Sequence, residues 1–303
     1  SIQRDLFITK DNLTAIYISR SKFEKALPMI EENYTSCIKS YSEKNEKCLT
    51  QMITLASVTS TFDLPKSIKI LEKFLDLEPK TNNNFLRQRV NARNALSGAY
   101  ESMGKFKKSE ELALESINLI DPSDTRFRDT YINSMNSYYL QIAKSGQFKD
   151  AIEGWLDLLN FIDKESNQKW LSGSVLNNLG YAFSFMDRKK SLEYYLKAEK
   201  ICTKYGLPRL LTTVRMNLAD SYYKLKNYKK TSEYYKLALE YKFTQPYSKI
   251  LLYSGLSRSE ALNKNHDQSL MYANEGLKVA KDHLGINHPS SLPILDSLVL
   301  VHH

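Results

Sequence analysis

Apolar residues recur at i, i+3, i+4 and i+7 through most of this chain, the spacing of helices that each bury one stripe, and short polar turns interrupt them at even intervals. Asn178 to Ile201 reads NLGYAFSFMDRKKSLEYYLKAEKI, and Asn217 to Tyr241 reads NLADSYYKLKNYKKTSEYYKLALEY, almost the same statement made twice. The small residue that opens the second helix of each pair falls at Ala26, Ser67, Ser109, Ala151, Ser191, Thr231 and Ser269, at intervals of 41, 42, 42, 40, 40 and 38. Self-similarity at such a period describes one supersecondary unit that buries its apolar face by stacking on its neighbours. The pattern predicts an all-α chain, a right-handed α-solenoid of about seven helix-turn-helix repeats in a single superhelical domain. Their approximate bounds are 4–45, 46–84, 85–125, 126–167, 168–207, 208–247 and 248–285, and residues 286–303 form a capping or incomplete helix.

Each unit reads alike. A first helix ends on an aromatic or apolar residue (Tyr17, Val58, Tyr100, Ile142, Phe183, Tyr222). A polar turn such as ESMGKFKKS follows, with an aromatic (Phe23, Phe106, Phe148, Tyr228) expected to pack between the two helices. The second helix then places small residues, Ala113, Ala198, Ala238 and Ala273, where helices approach closely. These residues resemble the tetratricopeptide repeat, strongly from Asn91 to Tyr241 and more loosely at both ends. NLGYAF and ALSGAYESMGKFKKSEELALESINLIDP carry the likeness. Ser or Thr replaces the expected helix-B Ala in five of the seven units, and a period near 40 is longer than the usual 34 of this repeat. In that respect the chain is similar to the lengthened repeats of kinesin light chains and of bacterial sensor and scaffold proteins. The Gly-x-x-His-Pro run at Gly285 to Pro289 resembles the turn that opens repeats in those families.

Composition agrees with this picture. Hydrophobic residues are 42% of the 303, enough for a core, while Gly (10) and Pro (8) are too scarce for a loop-rich fold. No run approaches the roughly 20 apolar residues needed to cross a bilayer. The net charge is +9, but 32 of the 43 basic residues are Lys, dispersed as on solvated helix faces, and no repeated Arg-aromatic position supports RNA binding. Cys37, Cys48 and Cys202 are odd in number and contain no CxxC pair, so reduced thiols and a cytoplasmic setting are expected. His302 and His303 read as a tag remnant. No Gly-rich phosphate loop, GxSxG, HExxH or paired-carboxylate motif is present, so the chain reads as a non-enzyme with no cofactor or metal.

Candidate binding residues lie on the first helices, which line the concave surface in the repeat this chain resembles. Asn91, Asn94, Asn133, Asn136, Asn177, Asn178 and Asn217 occur on four successive ones. Asn178 and Asn217 resemble the asparagine ladder of O-linked N-acetylglucosamine transferase and of bacterial peptide-pheromone receptors. An amide offers a donor and an acceptor together, so it can pair with a peptide group of a ligand. Tyr181 and Tyr223 would add apolar surface on the same side, and Arg89, Arg93 and Arg215 would receive a carboxylate. The function implied is a scaffold that takes an extended peptide or a partner's tail, with or without an acidic group. The alternative is the sensor segment of a larger signalling protein.

Overall fold

The structure, a computed structural model, describes residues 12–18, 22–78, 85–241, 246–283 and 292–301, with side chains to residue 296. Every regular element among the described residues is a helix. The chain divides into two compact units, residues 1–158 and 159–303. The first holds α1 (residues 12–18), α2 (Phe23–Ser40), α3 (Glu46–Thr59), α4 (Leu64–Leu77), α5 (Leu86–Ser102), α6 (Phe106–Asn118) and α7 (Arg128–Lys144). Helix α8 (Phe148–Glu165) runs across the division. The second holds α9 (Ser172–Phe183), α10 (Arg188–Tyr205), α11 (Pro208–Lys224), α12 (Tyr228–Leu239), α13 (Pro246–Leu262), α14 (His266–His283) and α15 (Leu292–Val301). Consecutive helices pair as seven helix-turn-helix repeats followed by a terminal helix, an α-solenoid architecture. The Gly285–Pro289 run and the last two histidines lie outside the described residues.

The seven small residues set the register of every pair. Each is the fourth residue of its second helix, and each is buried, at most 1% exposed. The structure explains why Ser serves where Ala was expected. Ser67 Oγ donates to Ala56 O, and Ser191 Oγ donates to Gly180 O, both at 2.7 Å across the pair. Ser269 Oγ donates to Ser257 O at 2.7 Å, and Ser97 Oγ donates to Ser109 O at 2.7 Å in the reverse sense. A buried hydroxyl that finds a carbonyl costs little, and here it ties the two helices together.

The turns within pairs repeat as well. Gly104, Gly146, Lys226 and Lys264, each two residues before a second helix, have φ of 72°, 93°, 59° and 64°. In each case the next residue's N–H returns to a carbonyl five residues back (Tyr100, Ile142, Glu260 or Tyr222), a helix-closing motif that needs one left-handed residue. Gly adopts that conformation without strain, and Lys occupies it twice. The turn aromatics are corrected in part. Phe23, Phe106, Phe148 and Tyr228 are the first residues of second helices, none is fully buried, and Phe106 is 43% exposed.

One expectation fails outright. Cys37 and Cys48 form a disulfide, with Cα atoms 5.4 Å apart, where reduced thiols were expected. No spacing motif announced it, because the end of α2 and the start of α3 bring the two residues together only once the helices fold back. The ground for a reduced, cytoplasmic setting is thereby removed. Cys202 is a fully buried thiol among Leu176, Tyr195, Ala198 and Val214, and burial, with Glu199 nearby, pushes it up to about 11. A thiol so placed packs and does not act as a nucleophile. No described helix is long and apolar enough to cross a membrane.

Candidate functional site

In the first unit four of the six candidate polar side chains on the first helices are spent within the chain. Asn94 on α5 donates through Nδ2 to Ser134 Oγ on α7 at 3.1 Å, and Asn136 Oδ1 accepts from the buried Trp155 Nε1 at 2.9 Å. Asn91 and Asn133 are exposed. Arg93 grips Glu78 through two parallel bonds, Nη1 to Oε2 at 2.8 Å and Nη2 to Oε1 at 2.6 Å. Arg89 Nε stands 3.8 Å from the same carboxylate. Three charges are buried together here, since the Glu78, Arg89 and Arg93 side chains are 1%, 9% and 12% exposed. The expectation that Arg89 and Arg93 receive a partner's carboxylate therefore gives way, because the chain already supplies one.

In the second unit Arg215 is likewise engaged. It donates to Leu237 O at 2.9 Å and pairs with Glu199 at 3.4 Å and Glu240 at 3.6 Å, so it too is corrected from receiver to internal clamp. The asparagines form a short chain. Asn217 Nδ2 on α11 donates to Asn177 Oδ1 on α9 at 2.9 Å, and Asn177 Nδ2 lies 3.4 Å from Asn178 Oδ1. Asn217 thus bridges successive first helices through Asn177. Tyr181 meets Phe185 edge-on at 5.2 Å, and Tyr223 lies 5.7 Å from Tyr228, both half-buried.

A second set of residues was not singled out from sequence, although the register contained the signal. One residue beyond the small residue that meets the second helix stand Tyr181 (after Gly180), Asp220 (after Ala219) and Arg258 (after Ser257). Asp220 and Arg258 are each the thirteenth residue of their helices, α11 and α13. Tyr181 is the thirteenth when the preceding 3₁₀ turn, Lys169–Leu171, is counted with α9. The three therefore occupy one equivalent position on three successive first helices. On α3 and α5 of the first unit the same position holds Ser57 and Gly98, which line a cleft of about 290 Å³ with Ser60, Ala95 and Ser102.

Two tyrosines from second helices complete the row. The Tyr195 ring lies against Gly180, where an added Cβ would stand 2.6 Å from it, and the Tyr235 ring lies against Gly255, where the gap would be 2.5 Å. Tyr235 donates its hydroxyl to Asp220 Oδ1. Asp220 is exposed to water, yet protein atoms crowd around it. Those surroundings push its carboxyl above the usual range, opposed by the Tyr235 hydroxyl and by the charges of Lys224 and Arg258. Burial, reinforced by the Asp220 charge, pushes the Tyr195 and Tyr235 hydroxyls well up. Arg258 is half-buried, its Nε is shielded from water, and among the described residues it forms no hydrogen bond or ion pair.

The sign of the Asp220 shift gives a test. A carboxyl whose folded value is raised lends stability only below its ordinary value, 3.8, and loses it as pH climbs through the folded value, so charged Asp220 opposes folding at neutral pH. Asp220→Asn should raise Tm at pH 7, modestly because the group is open to water, and leave Tm near pH 3 unchanged. A lower Tm at pH 7 in thermal melts of both proteins would contradict this placement.

No protein-family model matches the chain, and no curated protein matches it in sequence. Solved structures match it in fold. BtubC from P. vanneervenii has a TM-score of 0.59 at 15% identity, over 80% of this chain and 94% of that one. The signal transduction ATPase with numerous domains from Pyrococcus horikoshii, which has a tetratricopeptide repeat sensor, has a TM-score of 0.60 at 21% identity. That match covers 92% of this chain and 44% of the other, so this chain spans less than half of that protein. A Rap protein complexed with competence and sporulation factor has a TM-score of 0.59 at 11% identity, over 98% and 87% of the two chains. With its seven helix pairs, their shared small-residue register and these neighbours, the chain has the fold of the tetratricopeptide-repeat proteins.

Proposed function

We propose that this chain is a non-enzymatic binding scaffold that receives an extended peptide or a partner's tail along the first helices of its second unit. The observation that carries this reading is the row of Tyr181, Asp220 and Arg258 at one position of α9, α11 and α13. Packing does not require these side chains there, since α3 and α5 fill the same position with Ser57 and Gly98. A half-buried arginine with no hydrogen bond or ion pair among the described residues, in electrostatic reach of a carboxylate and a tyrosine, is a surface prepared for another molecule's polar groups. The Asn177–Asn217 pair on the same helices supplies amides of the kind that bond a peptide backbone.

The test is selection of random twelve-residue peptides displayed on phage, followed by calorimetry of an enriched sequence. Tyr181→Ala should weaken binding about tenfold, roughly 1.4 kcal/mol. Hydrogen exchange should show protection on α9, α11 and α13. Equal affinity for Tyr181→Ala, with protection confined to second helices, would move the site elsewhere. The sensor reading, a segment of a larger signalling protein, draws support from the Pyrococcus horikoshii neighbour, in which a matching array is a sensor within a longer chain. In that reading the same row receives the signal.

A further inference from the structure

The two charges in the row differ in sign, and neither is neutralised by contact. Asp220 on α11 and Arg258 on α13 influence one another electrostatically, yet no ion pair joins them among the described residues. Asp220 takes one hydrogen bond, from the Tyr235 hydroxyl to Oδ1. The other cation near it is Lys224, one turn on along α11, exposed to solvent. The Tyr195 hydroxyl, from α10, is in electrostatic reach both of this carboxylate and of Tyr181 on α9. The second Asp220 oxygen, Oδ2, accepts no hydrogen bond among the described residues, which leaves the carboxylate able to take a charge-assisted bond from a cation. On the other side of the row, Arg258 presents a guanidinium whose Nε is buried without an acceptor, a cost that a bidentate carboxylate would remove.

We infer that the occupant of this groove carries a cationic group that seats on Asp220 and a carboxylate that seats on Arg258, in that order from α11 to α13. The inference rests on the scaffold reading above and specifies its ligand. Asp220 and Arg258 are within electrostatic reach of one another, and an extended chain advances about 3.3 Å per residue, so the two ligand charges lie a few residues apart. A peptide with only acidic residues would meet Asp220 with like charge, and a purely basic one would meet Arg258. The pair thus selects against uniformly charged segments as well as for mixed ones.

The experiment uses the full chain and the same random twelve-residue library. Peptides enriched on the parent should carry a Lys or Arg and an Asp or Glu a few residues apart, in one fixed order. The charge-exchanged variant Asp220→Arg, Arg258→Asp should enrich the reversed order. In calorimetry with a parent-selected peptide, Asp220→Asn and Arg258→Gln should each lose at least tenfold in affinity. These single variants carry the test if thermal melts show that the exchanged variant does not fold. Enrichment of peptides lacking either charge, or an order unchanged by the exchange, would overturn the charge assignment while leaving the scaffold reading in place. No enrichment at all on a folded parent would overturn both.

Discussion

Replacing Glu78 by Gln should destabilise the first unit by about 3–5 kcal/mol, the effect of leaving buried charges without their counter-ion. The geometry makes this severe. Glu78 is almost wholly buried, Arg93 grips it with two bonds, and Arg89 faces it at 3.8 Å. The remaining acid on Arg93 is Glu115, at 3.4 Å from Nε and 59% exposed, too wet to compensate two guanidiniums. Gln keeps the shape and removes only the charge, so the loss reads electrostatics and not a cavity. Urea unfolding supplies the energy, and hydrogen exchange should place the opening in α4–α6, because each repeat leans chiefly on its neighbours. A change below about 1 kcal/mol would mean the three charges are hydrated and not buried.

Gly255→Ala should cost about 1–3 kcal/mol through overpacking, although Ala favours helix over Gly by about 1 kcal/mol. The new Cβ would stand 2.5 Å from two ring carbons of Tyr235 and 2.9 Å from its hydroxyl. The ring must move, and its hydroxyl then leaves Asp220. The packing change therefore reaches the groove, and peptide affinity should fall together with stability. Tyr235→Phe separates the two effects: it keeps the ring on Gly255 and removes only the hydroxyl. If Gly255→Ala melts at or above the parent temperature, the ring does not lie where α13 presents its glycine.

The helix pairs were legible in the sequence because packing repeats at the interval of the unit. Ala26, Ser67, Ser109, Ala151, Ser191, Thr231 and Ser269 all landed at the fourth residue of a second helix, since close approach tolerates only small side chains there. The site was less legible. The repeat length drifts between 38 and 42, and neighbouring residues on a helix point about 100° apart, so a shared position in the repeat does not tell which side chains meet. Asn178 and Asn217 are equivalent, three residues before Tyr181 and Asp220 respectively, yet the bond made is between Asn177 and Asn217. Arg89, Arg93 and Arg215 looked available because their acids, Glu78 and Glu199, sit on other helices. Arg258 and Asp220 drew no notice for the opposite reason: single charged residues in a helix read as solvated surface. The disulfide between Cys37 and Cys48 depended on a fold-back that no spacing rule encodes.

The small residue that meets the second helix and the residue after it divide the work between them. Gly180, Ala219 and Ser257 hold the backbone together, and Tyr181, Asp220 and Arg258 are left to vary. The chain thus keeps its grammar apart from its vocabulary, with one rewritable letter per repeat. Ser57 and Gly98 are the blanks of that script: no atom lies within 4 Å of where a Cβ on Gly98 would stand, so a tyrosine or a charge could be written there without disturbing the words that fold the unit.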